Sequence, residues 1–333
     1  MYPRTPGVAR HTFLGLFTKS PEELGQSLEW HRHRAKFDSI PEFRRRFRRR
    51  LFNEINRAGL PRLLLSDEEL WLSSTKAVGR LRRFTGRFAE RVTVVAYLRR
   101  QDELLISRYQ QAVRAGEVRR LRDWAPREPK YQYDFRIHLN RYRTILEPAA
   151  MIVHRFERES FVDGSLEQDF LSAVGVAIRA ADMSPVEPQN PSLDVEMVEF
   201  LRLLNIVQLR EGLPRMEIDN RRLVKRLWDE PRGPTITLPD HVLDRFMNRW
   251  RDANAEVARD FLGDSSGELF RAPRKVQDST TEQRLDPARV DHYFELLELP
   301  DRLHAPLSAV AKSEAARARR SWLGRWYARS RSG

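Results

Sequence analysis

An arginine and a serine eight residues apart have the types and the spacing to bind an anion. Arg99 follows an apolar run rich in β-branched residues, and Ser107 lies in the amphipathic segment after it. A guanidinium and a hydroxyl together suit a phosphate, and open α/β sheets bind ligands at the carboxyl ends of their strands. The sequence therefore predicts a phosphate site at Arg99 and Ser107, in which Arg100 could take the place of Arg99. The alternative is that Arg99 forms a salt bridge with Asp102 or Glu103 and that Ser107 has no role.

The segments that must position these residues predict alternating strands and helices. Residues 91–98 predict a strand because β-branched residues favour strands, and the apolar runs 151–156 and 62–66 predict two more. Residues 75–89 and 101–115 have the apolar spacing of helices. A strand, a helix and a strand in succession favour parallel pairing. The predicted fold class is therefore α/β, followed by a mostly helical second half.

Residues 39–59 predict a long amphipathic helix with an arginine face. Ser39 and Glu42 have the spacing of a capping box, apolar residues recur every four positions, and Gly59 suits a C-cap. Six of the seven residues 44–50 are arginine, and these cannot all face the core. The arginines either form a solvated face or form a rim that attracts an anionic substrate.

A longer motif surrounds Arg99 and Ser107. It consists of Tyr97-Leu98-Arg99-Arg100-Gln101-Asp102 and Ser107-x-Tyr109-x-Gln111, with Leu64-Leu65-Ser66-Asp67-Glu68 before it and Val153-His154-Arg155-Phe156-Glu157-Arg158 after it. These blocks resemble bacterial sulfotransferase-like proteins that use 3′-phosphoadenosine 5′-phosphosulfate and are thought to act on carbohydrates. The resemblance implies a three-layer parallel sheet of the P-loop nucleoside triphosphatase and sulfotransferase type. It also implies transfer of a sulfuryl group to a carbohydrate hydroxyl.

The resemblance assigns roles to single residues. Arg99 and Ser107, with Arg100 beside them, would hold the 3′-phosphate of the nucleotide. Glu68 would act as the general base that takes the proton of the acceptor hydroxyl. Arg155 would support the site, and the implied co-substrate is 3′-phosphoadenosine 5′-phosphosulfate without a metal ion.

Two other candidates near this site have competing interpretations. Asp67, Glu68 and Glu69 together could simply form the acidic first turn of a helix. His11 falls in a region that should border the nucleotide site, so it is a candidate site residue. His154 lies inside an apparent strand, which is more typical of a core histidine than of a catalytic one.

The sequence departs from the family pattern at the phosphosulfate loop. Such enzymes cradle the 5′-phosphosulfate in a loop rich in lysine and threonine. No Gly-x-x-x-x-Gly-Lys-Ser/Thr run and no Lys-Thr-Gly-Thr-Thr-like run occurs in this sequence. The first strand, the loop and the first helix are therefore expected to be missing, either because the start codon is internal or because the protein is a shortened, inactive relative. In the second case the alternative function is noncatalytic binding of anionic glycan, nucleic acid or membrane through basic patches.

Composition and charge exclude several classes of protein. The chain has 333 residues and no cysteine, which rules out disulfides, thiolate catalysis and cysteine metal sites. Its net charge of +13 is concentrated in residues 44–50, with six arginines, and in residues 312–333, with seven basic residues against one acid (7 − 1 = +6). Because the remaining body is almost neutral, a specific nucleic-acid-binding protein is not predicted.

Domain organisation and location are predicted from the same pattern. Residues 1–262 are expected to form one sulfotransferase-like domain with helical additions, and residues 263–311 a polar loop and a short helix. Residues 312–333 are expected to be a flexible basic tail that could contact an anionic membrane. The absence of an apolar run long enough to span a bilayer or to act as a secretory signal predicts a cytoplasmic protein.

Overall fold

The computed structural model describes residues 1–8, 10–183, 192–213, 220–230, 232–275 and 278–330, without the side chains of 220–222 and of residues beyond 317. In chain order the helices are α1 (Thr12–Thr18), α2 (Pro21–Gly25), α3 (Leu28–His33), α4 (Ile40–Ala58), α5 (Thr75–Thr85), α6 (Gln101–Arg114), α7 (Leu121–Trp124), α8 (Phe135–Arg141), α9 (Leu166–Ala173), α10 (Val195–Arg210), α11 (Asn220–Leu227), α12 (Asp240–Asn248), α13 (Arg251–Leu262), α14 (Val290–Leu296) and α15 (His304–Ser330). The strands are β1 (Thr93–Leu98), β2 (Ala150–Arg155), β3 (Thr235–Ile236) and β4 (Ser279–Thr280).

Helix α4 forms as its capping pattern predicts. The Ser39 hydroxyl accepts a hydrogen bond from the Glu42 backbone N–H at 3.2 Å, and the helix ends at Gly59, whose φ of 59° is left-handed. Phe43 and Phe47 are buried against α1 and α5. The helix is therefore fixed by its caps and by one apolar face, and the arginine face is left outside.

Strands β1 and β2 form the parallel pair that positions the predicted site. Their register runs from Thr93 opposite Ala150 to Leu98 opposite Arg155. Leu98 and Val153 pack against α8 and α13 on one face of this sheet. The predicted strands at 91–98 and 151–156 are thus present, and their carboxyl ends lie side by side.

The predicted three-layer parallel sheet of the P-loop and sulfotransferase type is wrong for the part of the chain that the structure describes. The sheet of β1 and β2 has two strands, and β3 and β4 form a separate parallel pair of two residues each. Residues 62–66, predicted as a strand, run without regular structure; Leu64 N–H donates to the Met1 carbonyl at 2.8 Å. A short apolar run does not distinguish a buried strand from an extended segment that packs on helices, and Leu65 packs on helices here.

Most of the buried apolar residues belong to helices. One cluster joins α1, α4 and α5, a second joins the two strands to α8 and α13, and a third joins α6, α10, α12, α14 and α15. Val94 and Met151 of this sheet also pack against the first cluster, so the sheet contacts both the first and the second. The candidate site therefore sits on a small sheet supported by a mainly helical protein.

Candidate functional site

Arg99 extends β1 by one residue, and its guanidinium is the most exposed of the three predicted strand-end arginines. Its side chain is 40% exposed, compared with 16% for Arg100 and 12% for Arg155. Arg99 Nε donates to Glu103 Oε2 at 3.1 Å, one helical turn into α6. The alternative salt bridge expected from the sequence is therefore present with Glu103. Ser107 lies half-buried one turn further along α6.

Arg100 is committed to internal contacts. Its guanidinium donates to both carboxylate oxygens of Asp102 at 3.2 and 3.1 Å and to the Ala272 carbonyl at 3.0 Å. Arg274 donates to the same carboxylate at 2.9 Å. Burial acts to raise the pKa of Asp102, but the hydrogen bonds from Arg100 and Arg274 outweigh it and lower that pKa below its usual range. Arg100 therefore fixes the start of α6.

Arg155 is bound in a similar way at the end of β2. Its Nε donates to the Leu269 carbonyl at 2.8 Å, and its guanidinium also contacts the carboxylate of Asp264. Glu157, two residues later, accepts hydrogen bonds from the backbone N–H groups of Arg271 and Ala272. We call residues 264–274 the clasp, because this segment lies across the carboxyl ends of both strands. Arg155 holds the clasp.

Glu68 and Asp67, the first acidic residues after position 66, differ in exposure and in contacts. Glu68 is 82% exposed and lies 3.8 Å from Arg10. Asp67 is buried, and its carboxylate accepts from the Gly15 and Glu69 backbone N–H groups at 3.0 and 3.2 Å. A Cβ at position 15 would lie 2.3 Å from Asp67 Oδ2, so this approach requires glycine. Burial raises the pKa of Asp67 to about 6, which the sequence did not indicate.

His11 packs beside the segment that carries Glu68. Its Nδ1 accepts a hydrogen bond from the Ser66 backbone N–H at 3.0 Å, and its ring stacks on Tyr2 at 4.0 Å. Burial lowers the pKa of His11, which favours the neutral form of the ring. Among the described contacts, none joins His11 or Glu68 to Arg99; the structure brings the predicted residues together as two groups.

Sequence reasoning missed a hydrogen-bonded trio of Tyr97, His154 and Asp169. His154 Nδ1 lies 2.6 Å from Asp169 Oδ2, and the Tyr97 hydroxyl donates to the same oxygen at 2.7 Å. Burial and the neighbouring carboxylate raise the pKa of Tyr97. The His154 ring also borders a groove of about 390 Å³ along β2, lined partly by Ser160 and Phe261. Strand register could have paired Tyr97 with His154. Asp169-Phe170-Leu171 follows the block Val153–Arg158 in the pattern that resembles sulfotransferase-like proteins, but no spacing placed Asp169 of α9 against these two side chains.

Metal ligands and membrane-spanning helices bear on the class of site. Within the described ranges, no group of three or more histidine, aspartate and glutamate side chains could hold a metal ion. Of the helices in those same ranges, none combines the length and the apolar character needed to cross a bilayer. The tail's predicted membrane contact depends on side chains beyond residue 317, which lie outside the description.

Comparison with known proteins adds one relative. The chain is similar to a protein of Archaeoglobus fulgidus described as an uncharacterized protein, with 26% identity over 219 residues, 63% of this chain and 58% of that protein. The chain thus spans less than two thirds of the length of this relative. No protein-family model and no solved structure matches.

Proposed function

We propose that this protein binds the 3′-phosphate of an adenosine nucleotide at the end of β1 and is a sulfotransferase-type protein that acts on a carbohydrate hydroxyl. The observation that carries the proposal is the geometry of β1 and α6. Arg99 stands at the carboxyl end of a strand with a parallel neighbour, keeps an exposed guanidinium, and is followed by Ser107 on the next helix. The proposal does not depend on the three-layer sheet.

To bind the nucleotide, Arg99 would have to replace the carboxylate of Glu103 with the 3′-phosphate. Its present partner is a single carboxylate oxygen of Glu103, whereas a phosphate offers a guanidinium two parallel hydrogen bonds. Arg100 and Arg155 hold the clasp and the start of α6, so their part is to position Arg99 and Ser107. Burial of Arg100 against Asp102 makes it the poorer ligand of the two neighbouring arginines.

The transfer step assigned to this site is an in-line displacement. The acceptor sugar oxygen forms a bond to sulfur while the bond between sulfur and the phosphate oxygen of 3′-phosphoadenosine 5′-phosphosulfate breaks, and the electron pair leaves on the phosphate. Glu68, exposed and next to Arg10, would take the acceptor proton. Because the lysine- and threonine-rich loop is not found in the sequence, nucleotide binding is tested before transfer.

A thermal-shift titration tests the nucleotide site. We expect adenosine 3′,5′-bisphosphate to raise the melting temperature of the wild type with increasing concentration, since the ligand binds the folded state. Arg99→Ala should weaken this binding by about tenfold to a hundredfold, the effect of losing charge-assisted hydrogen bonds. Glu103→Gln should strengthen it, because the carboxylate that competes for Arg99 is gone.

Arg82→Ala is the matched control. Arg82 pairs with Glu147 in an exposed ion pair, near the start of β2 and therefore at the opposite end of the strands. Its replacement should leave nucleotide affinity unchanged. Adenosine 5′-monophosphate, which lacks the 3′-phosphate, should bind wild type and Arg99→Ala equally. The proposed site is wrong if the wild type gains no stability from the bisphosphate or if Arg99→Ala binds it as tightly.

A further inference from the structure

Six arginines of α4 stand together without a carboxylate to neutralise them among the described residues. Arg82 pairs with Glu147 and Arg226 with Glu298 even at the surface. None of the six arginines among residues 44–50 forms an ion pair with a described carboxylate. Arg45 and Arg49 are exposed and stand one helical turn apart. This arginine face is therefore a concentration of free positive charge on a body that is otherwise balanced.

One corner of the arginine face already has the form of an anion site. Arg44 of α4 and Arg80 of α5 both donate to carbonyl groups at the end of α1, those of Lys19 and Thr18. Arg44 Nε is buried and has no acceptor among the described residues. Burial lowers the pKa of Arg44, and the positive charges of Arg80 and Arg48 lower it further. Arg80 also donates to the Glu23 carboxylate at 3.2 Å, so the charges without a carboxylate partner in this corner are those of Arg44 and Arg48. An anion placed beside them would relieve their repulsion and would accept the unused N–H of Arg44.

The other side chains of α4 narrow the class of partner. No large apolar residue within Ile40–Ala58 is among the exposed residues, because Phe43, Phe47 and Leu51 face the core. A helix that lies on a bilayer needs an exposed apolar face. Binding of single-stranded nucleic acid needs exposed aromatic rings for stacking, and this face has none. The face offers guanidinium groups alone, which suit the carboxylates and sulfates of a soluble linear polyanion.

We propose that the arginine face of α4 binds an anionic polysaccharide, with one carboxylate or sulfate group held in the corner formed by Arg44, Arg48 and Arg80. The interpretation of this polysaccharide as the acceptor substrate rests on the proposed function. Binding itself does not, since the face and the nucleotide site share no residue.

Fluorescence anisotropy with a labelled sulfated polysaccharide, heparin, tests this surface in the full-length chain. We expect the double variant Arg45→Gln, Arg49→Gln to bind about tenfold or more weakly at physiological salt, and its affinity to depend less steeply on salt. Arg44→Lys keeps the charge but loses the planar fork, so it should also weaken binding. The control is Arg122→Gln, Arg127→Gln, which removes two exposed charges from α7 and the turn after it and should change little.

Three results would overturn the proposal. The first is that heparin binds the α4 variant and the control variant with equal affinity. The second is that the wild type binds duplex DNA more tightly than heparin. The third is that the wild type binds vesicles containing phosphatidylserine more tightly than heparin. The melting-temperature response to adenosine 3′,5′-bisphosphate should be unchanged in the α4 variant. A wild type that binds heparin through α4 but no nucleotide would disprove the proposed function and leave this inference standing.

Discussion

Replacing Arg202 with alanine should lower the free energy of unfolding by about 3–5 kcal/mol, the largest effect we expect from one substitution. The Arg202 side chain is 4% exposed and donates to Glu199 at 2.7 and 2.8 Å, to Glu314 at 2.7 Å and to the Val118 carbonyl at 2.8 Å. Alanine would leave the Glu199 carboxylate buried without its main partner. Urea unfolding measures the change. Arg210→Ala, an exposed position on the same helix, should change stability by no more than about 0.5 kcal/mol.

A double variant separates two contributions to the free energy of unfolding: the penalty of a buried carboxylate without a partner, and the net stabilisation by the ion pair itself. Glu199→Leu combined with Arg202→Leu removes both charges, and it should recover most of the lost stability because no unpaired carboxylate remains. Arg120 lies 3.7 Å from Glu199 and also contacts Glu314. In the double variant Arg120 would therefore still pair with Glu314. A loss for Arg202→Ala as small as that for Arg210→Ala would show that this network contributes little.

Asp102→Asn is expected to have the second largest effect, a loss of about 3 kcal/mol at pH 7. The substitution keeps the shape but leaves Arg100 without a carboxylate, whereas Arg274 retains Asp240 and Asp244. The folded-state pKa of Asp102 is lowered, so its contribution is fully present above the ordinary value of 3.8 and disappears as pH falls through the folded value. The difference between wild type and variant should therefore shrink in acid.

Unfolding curves at pH 7 and pH 3 test this expectation. Asp123→Asn is the control, since Asp123 is 53% exposed and pairs only loosely with Arg122 at 3.5 Å. It should change stability little at either pH. A constant difference between Asp102→Asn and wild type across this range would mean that the carboxylate charge is not what stabilises the start of α6.

Local signals in the sequence predicted local structure well. The caps of α4, each single strand of the parallel pair, and the salt bridge from Arg99 to Glu103 that was the alternative to a phosphate site all depend on residues close in the chain, where spacing fixes geometry. The number of strands in a sheet is different, because it depends on which segments meet. Residues 62–66 had a strand-like composition, but their neighbour is the chain's own first residue rather than a sheet.

Only the local features of the candidate site could be predicted from the sequence. The position of Arg99 at a strand end followed from the pattern, but the contacts of Arg155 with Asp264 and of Arg100 with Ala272 did not. These partners lie far along the chain, and no periodicity connects them. The resemblance to sulfotransferase-like proteins supplied roles for the residues, and those roles remain predictions.

The clasp has a consequence for when this protein can fold. Arg100 and the carbonyl it binds are 172 residues apart, and the Tyr109 hydroxyl and the Gln283 amide that donates to it are 174 apart. Long-range contacts of this kind form slowly, because the entropy of closing a long loop is lost before the contact is gained. Until residues 264–274 are made, Arg100 and Arg155 lack their partners in the clasp. The native site is therefore completed only after synthesis has passed the clasp, and until then chaperones that bind nascent chains would meet the carboxyl ends of both strands uncovered.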